Sequence, residues 1–338
     1  MTEYAILPTT ALGTDGIRVG VQGLGCMGMS EFYGPTDRAE SRATLDHALE
    51  LGVTLFDTAD IYGSGDNEEF LSDFVRANRD RIVLATKFAL VRKADDPHYR
   101  GIDNSPEYIR AAVDASLRRL GIDTIDLYYM HRRDPQVPIE DSVGAMAELV
   151  QAGKVRTLGL SEVTGDELRA AHAVHPIAAV QSEWSLFSRD VERTAVPAAA
   201  ELGVTFVPYS PLGRGFLTGA LPSTGELTEG DFRRNMPRFT GDNAAHNDAL
   251  LAPLRAVAET RGLTPAQIAL AWVQSRAQVH GLPVVPIPGT RRRARLAENT
   301  AATTVKLTAA ELDRLEPIAE QVAGPRYADM SFTSAGRE

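Results

Sequence analysis

The sequence predicts an α/β protein built as a closed (β/α)8 TIM barrel, one domain spanning residues 1–338. Short, almost wholly apolar runs recur along the chain, as in strands buried on both faces of a parallel sheet. A stretch with helical start and stop signals follows each run. Counted from Val21, there are eight such units, and eight in one domain favour a closed barrel over an open sheet.

Residues 5–22 alternate around Gly13-Thr14-Asp15-Gly16 and predict an N-terminal β-hairpin. Gly23-Leu24-Gly25-Cys26-Met27-Gly28 formally matches a dinucleotide fingerprint, which requires a helix opening directly on its glycines. Here Ser-Glu-Phe-Tyr-Gly-Pro (30–35) intervenes with loop chemistry, so a tight strand-to-loop turn is the better account. Asp37 with Glu40 predicts a boxed helix ending at Gly52, before strand 53–56. A helix from about 67 leads into strand 82–86. Ser105-Pro106 caps the next helix, which ends at Gly121 before strand 124–130. The helix from about 139 ends at Gly153, before strand 155–160. Thr164 with Glu167 starts another helix, and strand 177–180 follows. The helix from about 191 ends at Gly203, before strand 204–208. Thr264-Pro265 with Gln267 opens a further helix, strand 284–287 is the last, and helices from about 291 and from Thr308 close the chain. Two connections, 89–104 and 212–247, exceed what linking requires, and both fall on the side where barrel enzymes build their sites. Residues 324–338 read as a loose tail.

The 43% apolar content of this 338-residue chain supports a large core. A net charge of −10 and a pI near 5.3 disfavour nucleic-acid or anionic-membrane partners. No apolar run approaches the ~18 residues of a membrane span. The N-terminus lacks the regions of a signal peptide. The single cysteine, Cys26, excludes an internal disulfide and fits a cytoplasmic location. His172 and His175 share a helix face without companion ligands, so no metal site is expected.

Three strand-like runs end in residues that packing does not call for: Asp57, Lys87 and His131. Adjacent barrel strands would bring them around one opening, with Tyr62 reaching in from the loop after Asp57. A free phenol has a pKa of about 10, too high for an efficient acid at neutral pH. An adjacent Lys87 ammonium, held by Asp57, is expected to lower it. A neutral His131 would donate a hydrogen bond to the oxygen that Tyr62 protonates, which is the proton half of a carbonyl reduction.

The motifs around these residues resemble the aldo-keto reductase family over nearly the whole length. They are Phe-Asp-Thr-Ala-Asp-Ile-Tyr-Gly (56–63), Thr-Lys-Phe (86–88), Tyr-Met-His-Arg-Arg-Asp (129–134), Gly-Leu-Ser-Glu (159–162), Val-Gln-Ser-Glu-Trp-Ser-Leu (180–186), Tyr-Ser-Pro-Leu-Gly-Arg-Gly (209–215) and Ile-Pro-Gly-Thr (287–290). The resemblance implies a catalytic set of Asp57, Tyr62, Lys87 and His131, with NADPH (NADP+) as cofactor and a small carbonyl compound as substrate. It also implies cofactor contacts from Gly25, Met27 and Asp57, from Ser161 and Gln181 at the carboxamide, and from Tyr209 on the nicotinamide ring. Ser210, Leu212, Arg214 and Gly215 would line the pyrophosphate, while Gly289, Thr290, Arg291, Arg295, Glu298 and Asn299 would hold the adenosine end. The run Arg291, Arg292, Arg293, Arg295 concentrates positive charge at a helix start, as a 2′-phosphate pocket requires; a solvated helix face is the other reading. Many family members carry Asn where this chain has Glu162, which opens the question of what Glu162 contacts. Phe32, Tyr33, Phe88 and Trp184 stand in or beside strand-end loops and read equally as substrate pocket or as core. Two other functions compete: a cofactor-sensing subunit like the family's potassium-channel β-subunits, and a Schiff-base aldolase using Lys87. Both monomers and homo-oligomers occur in the family.

Overall fold

The computed structural model describes residues 6–93, 96–219 and 227–338. The first strands, β1 (Thr9–Ala11) and β2 (Arg18–Gly20), pair antiparallel as the expected hairpin, whose residue 5 lies outside the described residues. Barrel and helices then alternate: β3 (Leu24–Gly25), α1 (Arg38–Glu50), β4 (Leu55–Asp57), α2 (Asp66–Ala77) and β5 (Val83–Phe88). The connection after β5 is a second hairpin, β6 (Leu90–Lys93) with β7 (Asp96–Ile102), rather than a plain loop. The alternation resumes with α3 (Pro106–Leu120), β8 (Ile125–Met130), α4 (Ile139–Gln151), β9 (Val155–Ser161), α5 (Gly165–Val174), β10 (Ile177–Glu183), α6 (Ala195–Leu202) and β11 (Thr205–Tyr209). The predicted loop 212–247 contains a helix, α7 (Gly241–Ala249), and α8 (Ala252–Arg261) follows it; its residues 220–226 lie outside the described residues. Finally come α9 (Pro265–His280), α10 (Arg293–Ala301) and α11 (Ala309–Leu315).

Seven parallel strands run in the order β11-β10-β9-β8-β5-β4-β3. The predicted eighth strand closes the ring with few bonds. Phe206 N donates to Pro283 O (2.9 Å), Ile287 N to Pro208 O (3.0 Å) and Gly23 N to Pro286 O (3.0 Å). Pro283, Pro286 and Pro288 remove the amides that a full ladder would use. Boxes at Thr164/Glu167, Thr264/Gln267 and Thr308/Glu311 start α5, α9 and α11. Asp37 caps α1, but Glu40 reaches across to Arg293 (2.9 Å) instead of back to its own cap.

Side chains alternate across each strand, and this alternation divides the chain into two cores. The outward set, with Phe56, Leu84, Tyr128, Leu158 and Phe206, packs beneath the helices. The inward set begins apolar at the strand starts, with Leu55, Ala85, Leu127, Ala179 and Val207. Two residues further along the same face stand Asp57, Lys87, Tyr129, Gln181 and Tyr209. The hairpin seals the apolar end of the barrel with Leu12, Ile17 and Val19. Gly13, at φ +67, lies so close that a Cβ there would sit 2.7 Å from Ala178 Cα. The polar end is left open.

Candidate active site

At that open end Asp57, Lys87 and His131 converge, and all are buried. Tyr62 comes from the turn after β4, which is fixed at both ends. Thr58 N bonds Ala85 O (2.9 Å) and Asp60 N bonds Lys87 O (3.1 Å). Asn67, in the first turn of α2, accepts from Thr58 Oγ1 (2.6 Å) and donates to Cys26 O (3.0 Å), locking the turn to the first loop. Lys87 Nζ spends its donors on Asp57 Oδ1, on Thr58 O (2.8 Å) and on Tyr62 Oη (3.4 Å). The other Asp57 oxygen accepts from Gln181 Nε2 (2.8 Å). The Tyr62 and His131 rings stand edge to face with centroids 5.9 Å apart.

Burial and charge set the protonation states. Burial raises the Tyr62 pKa by more than the Lys87 ammonium lowers it, so the expectation of a depressed phenol is corrected: the hydroxyl keeps its proton at neutral pH. Burial opposes charge on Lys87, but Asp57 and Tyr62 together outweigh it and the ammonium is held. Burial, with Arg132 and Lys87 nearby, drives the His131 pKa well below the ordinary imidazole value, so the ring is neutral.

Asp57, Tyr62 and His131 line one end of a cavity of about 940 Å³, with Lys87 fully buried against Asp57 and Tyr62. Of the expected cofactor residues, all but Ser161 line it, and Ser161 lies buried at its wall with Oγ accepting from Arg132 Nη1 (3.3 Å). Gly25 and Gly289 approach closely; a Cβ on Gly25 would meet Ile287 O at 3.0 Å, and one on Gly289 would meet Gly25 O at 3.2 Å. Both Ser210 (φ +48) and Arg214 (φ +57) are forced into left-handed backbone, as are Gly213 and Gly215. Phe32, Ser64, Ala89 and Glu162 share that strained conformation, and each follows a barrel strand at the open end.

The arginine run divides its labour. Arg291 donates to Tyr33 O (3.0 Å), Gly34 O (3.1 Å) and Thr36 Oγ1 (2.9 Å), so it clasps the first loop while lining the cavity. Arg293 turns away to Glu40. Arg295 pairs with Glu298 (2.7 Å) at the cavity rim. Arg292 lines the cavity without an ion pair among the described residues. The guanidinium of Arg214 bonds Tyr327 Oη (2.5 Å) and faces Glu183 (3.5 Å), and the residue lines the cavity.

Phe32 and Tyr33 line the cavity, each edge-on to Phe232 at 5.4 and 5.3 Å. Phe88 and Trp184 do not. Each falls on the outward side of its strand line, one residue out of phase with Lys87 and Gln181 or Glu183. Phe88 packs on Tyr128, and Trp184 on Phe206 with its Nε1 donating to Glu192 (2.9 Å). Cys26 is fully buried against Leu24 O, away from the cavity. His172 Nδ1 accepts from Ile177 N (3.2 Å), and His175 Nδ1 lies 2.9 Å from Pro176 O; both contacts are structural.

The expected loose tail is docked. Arg326, 2% exposed, gives Glu162 two bonds of 2.8 and 3.0 Å and reaches Asp190 at 3.2 Å. Ser334 N adds a bond to Glu162 (3.1 Å), and Arg337 bonds Glu162 O (2.6 Å) and Glu167 (2.8 Å). Glu162 thus faces the tail, and it also accepts from Tyr209 Oη (2.7 Å), fixing that ring. This placement brings Tyr327, Asp329, Ser331 and Phe332 to the cavity wall. With no apolar periodicity, the tail carried little signal of its role; unexplained Glu162, in want of a cation, was the available clue.

A barrel whose strand ends hold a protonated phenol, a clamped ammonium and a neutral imidazole beside a long cavity belongs to the proton-transferring oxidoreductases. The chain is a member of the aldo/keto reductase family, whose family model matches residues 23–320. Among solved structures it is similar to a glycerol dehydrogenase, AKR11B4 from Gluconobacter oxydans, at 28% identity and TM-score 0.82, over 95% of this chain and 98% of that one. It is also similar to aldo-keto reductase AKR11C1 from Bacillus halodurans (26% identity, TM-score 0.71, 94% and 98% covered). A third is an aldo/keto reductase from Klebsiella pneumoniae solved with NADP and acetate (26% identity, TM-score 0.69, 95% and 97% covered).

Proposed function

We propose that this protein is an NADPH-dependent reductase that converts an aldehyde or ketone to an alcohol, with Tyr62 as the general acid. The carrying observation is the meeting of Tyr62 Oη with Lys87 Nζ at 3.4 Å beside a neutral His131, at one end of a cavity that reaches Arg292 and Arg295 at the other. Gly25, Gly289 and the left-handed backbone around Ser210–Gly215 form a cradle that only close-fitting backbone allows, which suits a dinucleotide. Ser161 and Gln181 would take the carboxamide, Tyr209 the ring, and Arg292 with Arg295 the 2′-phosphate. Bound NADPH supplies the hydride.

The protein's part is then proton and charge management. The His131 ring donates a hydrogen bond to the carbonyl oxygen and polarises it. Tyr62 carries its proton until that oxygen gains charge, then delivers it. The ammonium of Lys87 sits against the phenol oxygen and stabilises the phenolate left behind, while Asp57 prevents Lys87 from losing its own proton. A Schiff base on Lys87 would need a free neutral amine, whereas every donor of this one is engaged and its pKa is raised. A cytoplasmic location belongs to the same proposal, supported by the lone buried Cys26.

The test is turnover of NADPH against a panel of aromatic, aliphatic and sugar-derived carbonyls. Tyr62→Phe is expected to lower kcat/KM by about 10²–10⁴-fold with NADPH still bound. Wild-type turnover in that variant would refute the role of Tyr62. Tight NADPH binding with no turnover across the panel would favour the cofactor-sensing reading instead.

A further inference from the structure

Arg132 follows directly on His131 and lines the cavity beside Tyr62, Tyr209 and Phe332. It is only 7% exposed. Its Nη1 is used by His131 O (2.7 Å) and Ser161 Oγ (3.3 Å). Neither Nε nor Nη2 meets an acceptor among the described residues, and Nε is a buried donor without a partner. Buried Nε atoms without a hydrogen bond also occur on Arg133 and Arg326, but each other buried arginine among the described residues has a carboxylate: Glu167 for Arg133 (3.8 Å), Glu316 for Arg276 (2.8 Å) and Glu162 for Arg326 (2.8 Å).

No carboxylate among the described residues contacts Arg132, and Glu162 acts on it only through space. Glu162 and Asp190 are taken by Arg326, and Glu183 by Arg214 and Arg238 at 3.5 and 3.7 Å. Asp57 belongs to Lys87. Asp329 stands exposed at the rim, accepting from Ser331 N (2.8 Å). A buried guanidinium with no carboxylate in contact is incompletely paired unless something supplies the missing charge. The nucleotide's phosphates would lie with Arg292, Arg295 and the 210–215 backbone. Arg132 instead adjoins the reacting end.

Resting on the carbonyl-reductase reading above, we propose that Arg132 receives a carboxylate of the substrate, and that the natural substrate is an anionic carbonyl compound of the oxo-acid type. The free edge of the guanidinium, Nε with Nη2, matches the two oxygens of a planar carboxylate. One unmatched positive charge calls for a monoanion. The faces of Tyr209 and Phe332, 5.9 and 5.7 Å from the guanidinium carbon, shield the pair from water.

The experiment compares kcat/KM for 4-formylbenzoate and its neutral methyl ester in wild type, Arg132→Met and Arg132→Lys. Wild type is expected to favour the anion by about tenfold or more, the worth of a charged hydrogen-bonded contact. Arg132→Met is expected to remove that ratio and Arg132→Lys to keep part of it. Benzoate binding to the NADP+-loaded protein, set against benzamide by calorimetry, is expected to weaken about tenfold in Arg132→Met. An equal fall for ester and anion would overturn the proposal, since Arg132 would then act only through His131. Turnover of the ester without preference for the anion would also overturn it, yet leave the reductase reading standing. Turnover of neither would leave the reductase reading to the wider carbonyl panel, while the benzoate measurement would still decide whether Arg132 holds a carboxylate.

Discussion

Replacing Arg326 with Met would isolate the ion pair that ties the C-terminal segment to the barrel. Both side chains are essentially out of water, at 2% and 0% exposure. Without the guanidinium, Glu162 would keep Tyr209 Oη and the amides of Glu183 and Ser334, but no cation in contact. Breaking a buried pair from one side costs about 3–5 kcal/mol. At an unfolding entropy of about 2.1 cal/mol/K per residue, that loss lowers Tm by ~4–7 °C for a chain of 338 residues. Burial alone would raise the Glu162 pKa, but Arg326 and the other donors hold it well below the usual carboxylate range. A depressed native pKa contributes stability that is fully present above the unfolded value, about 4.3, and fades as pH falls below it. The gap between variant and wild type should therefore narrow in acid. Adding Glu162→Gln to the variant removes the stranded charge and should restore most of the Tm. Scanning calorimetry of the three proteins near neutral pH checks this. A single variant melting within about one degree of wild type, or a double variant showing additive losses, would refute the reasoning.

Because the His131 pKa is pushed well down and that of Tyr62 is raised, kcat/KM for reduction should stay level from about pH 6 to 9, with no step near the ordinary imidazole value of about 6.5. A break there in the pH–rate profile would contradict the neutral ring. Arg292→Ala and Arg295→Ala are each expected to weaken NADPH about tenfold while sparing NADH, as losing a charged phosphate contact should. Arg291→Ala should weaken both nucleotides alike by releasing the first loop; a selective loss of NADPH in that variant would restore Arg291 to the phosphate.

The strand alternation was legible because its signal is local: apolar runs, glycine stops and capping boxes each specify their own few residues. The reacting set was legible for a related reason. Asp57, Lys87 and His131 break an apolar pattern at the end where the inward face opens. Phe88 and Trp184 were not assignable, since an aromatic residue just past a strand suits a pocket or a core equally; only the phase of the strand decides. The arginine run shows a different limit. Of four similar guanidiniums, three find different acceptors, on the first loop, on α1 and at Glu298, while Arg292 has no ion pair among the described residues. Helices α7 and α8 were missed where polar composition reads as loop, although Gly262 ends α8 in left-handed backbone.

The latch between Glu162 and Arg326 also orders events in time. Glu162 and Arg326 stand 164 positions apart, so the pair forms only when the segment carrying Arg326 docks. Before that docking, the barrel holds the Glu162 carboxylate without the guanidinium that bonds it. A chain stopped at residue 323 is expected to be cut by protease much faster than the whole protein, even though every barrel strand precedes the stop. Equal resistance of the two would show that the barrel matures without its tail. The latch thus makes the stability of the barrel depend on a segment that contributes none of its strands.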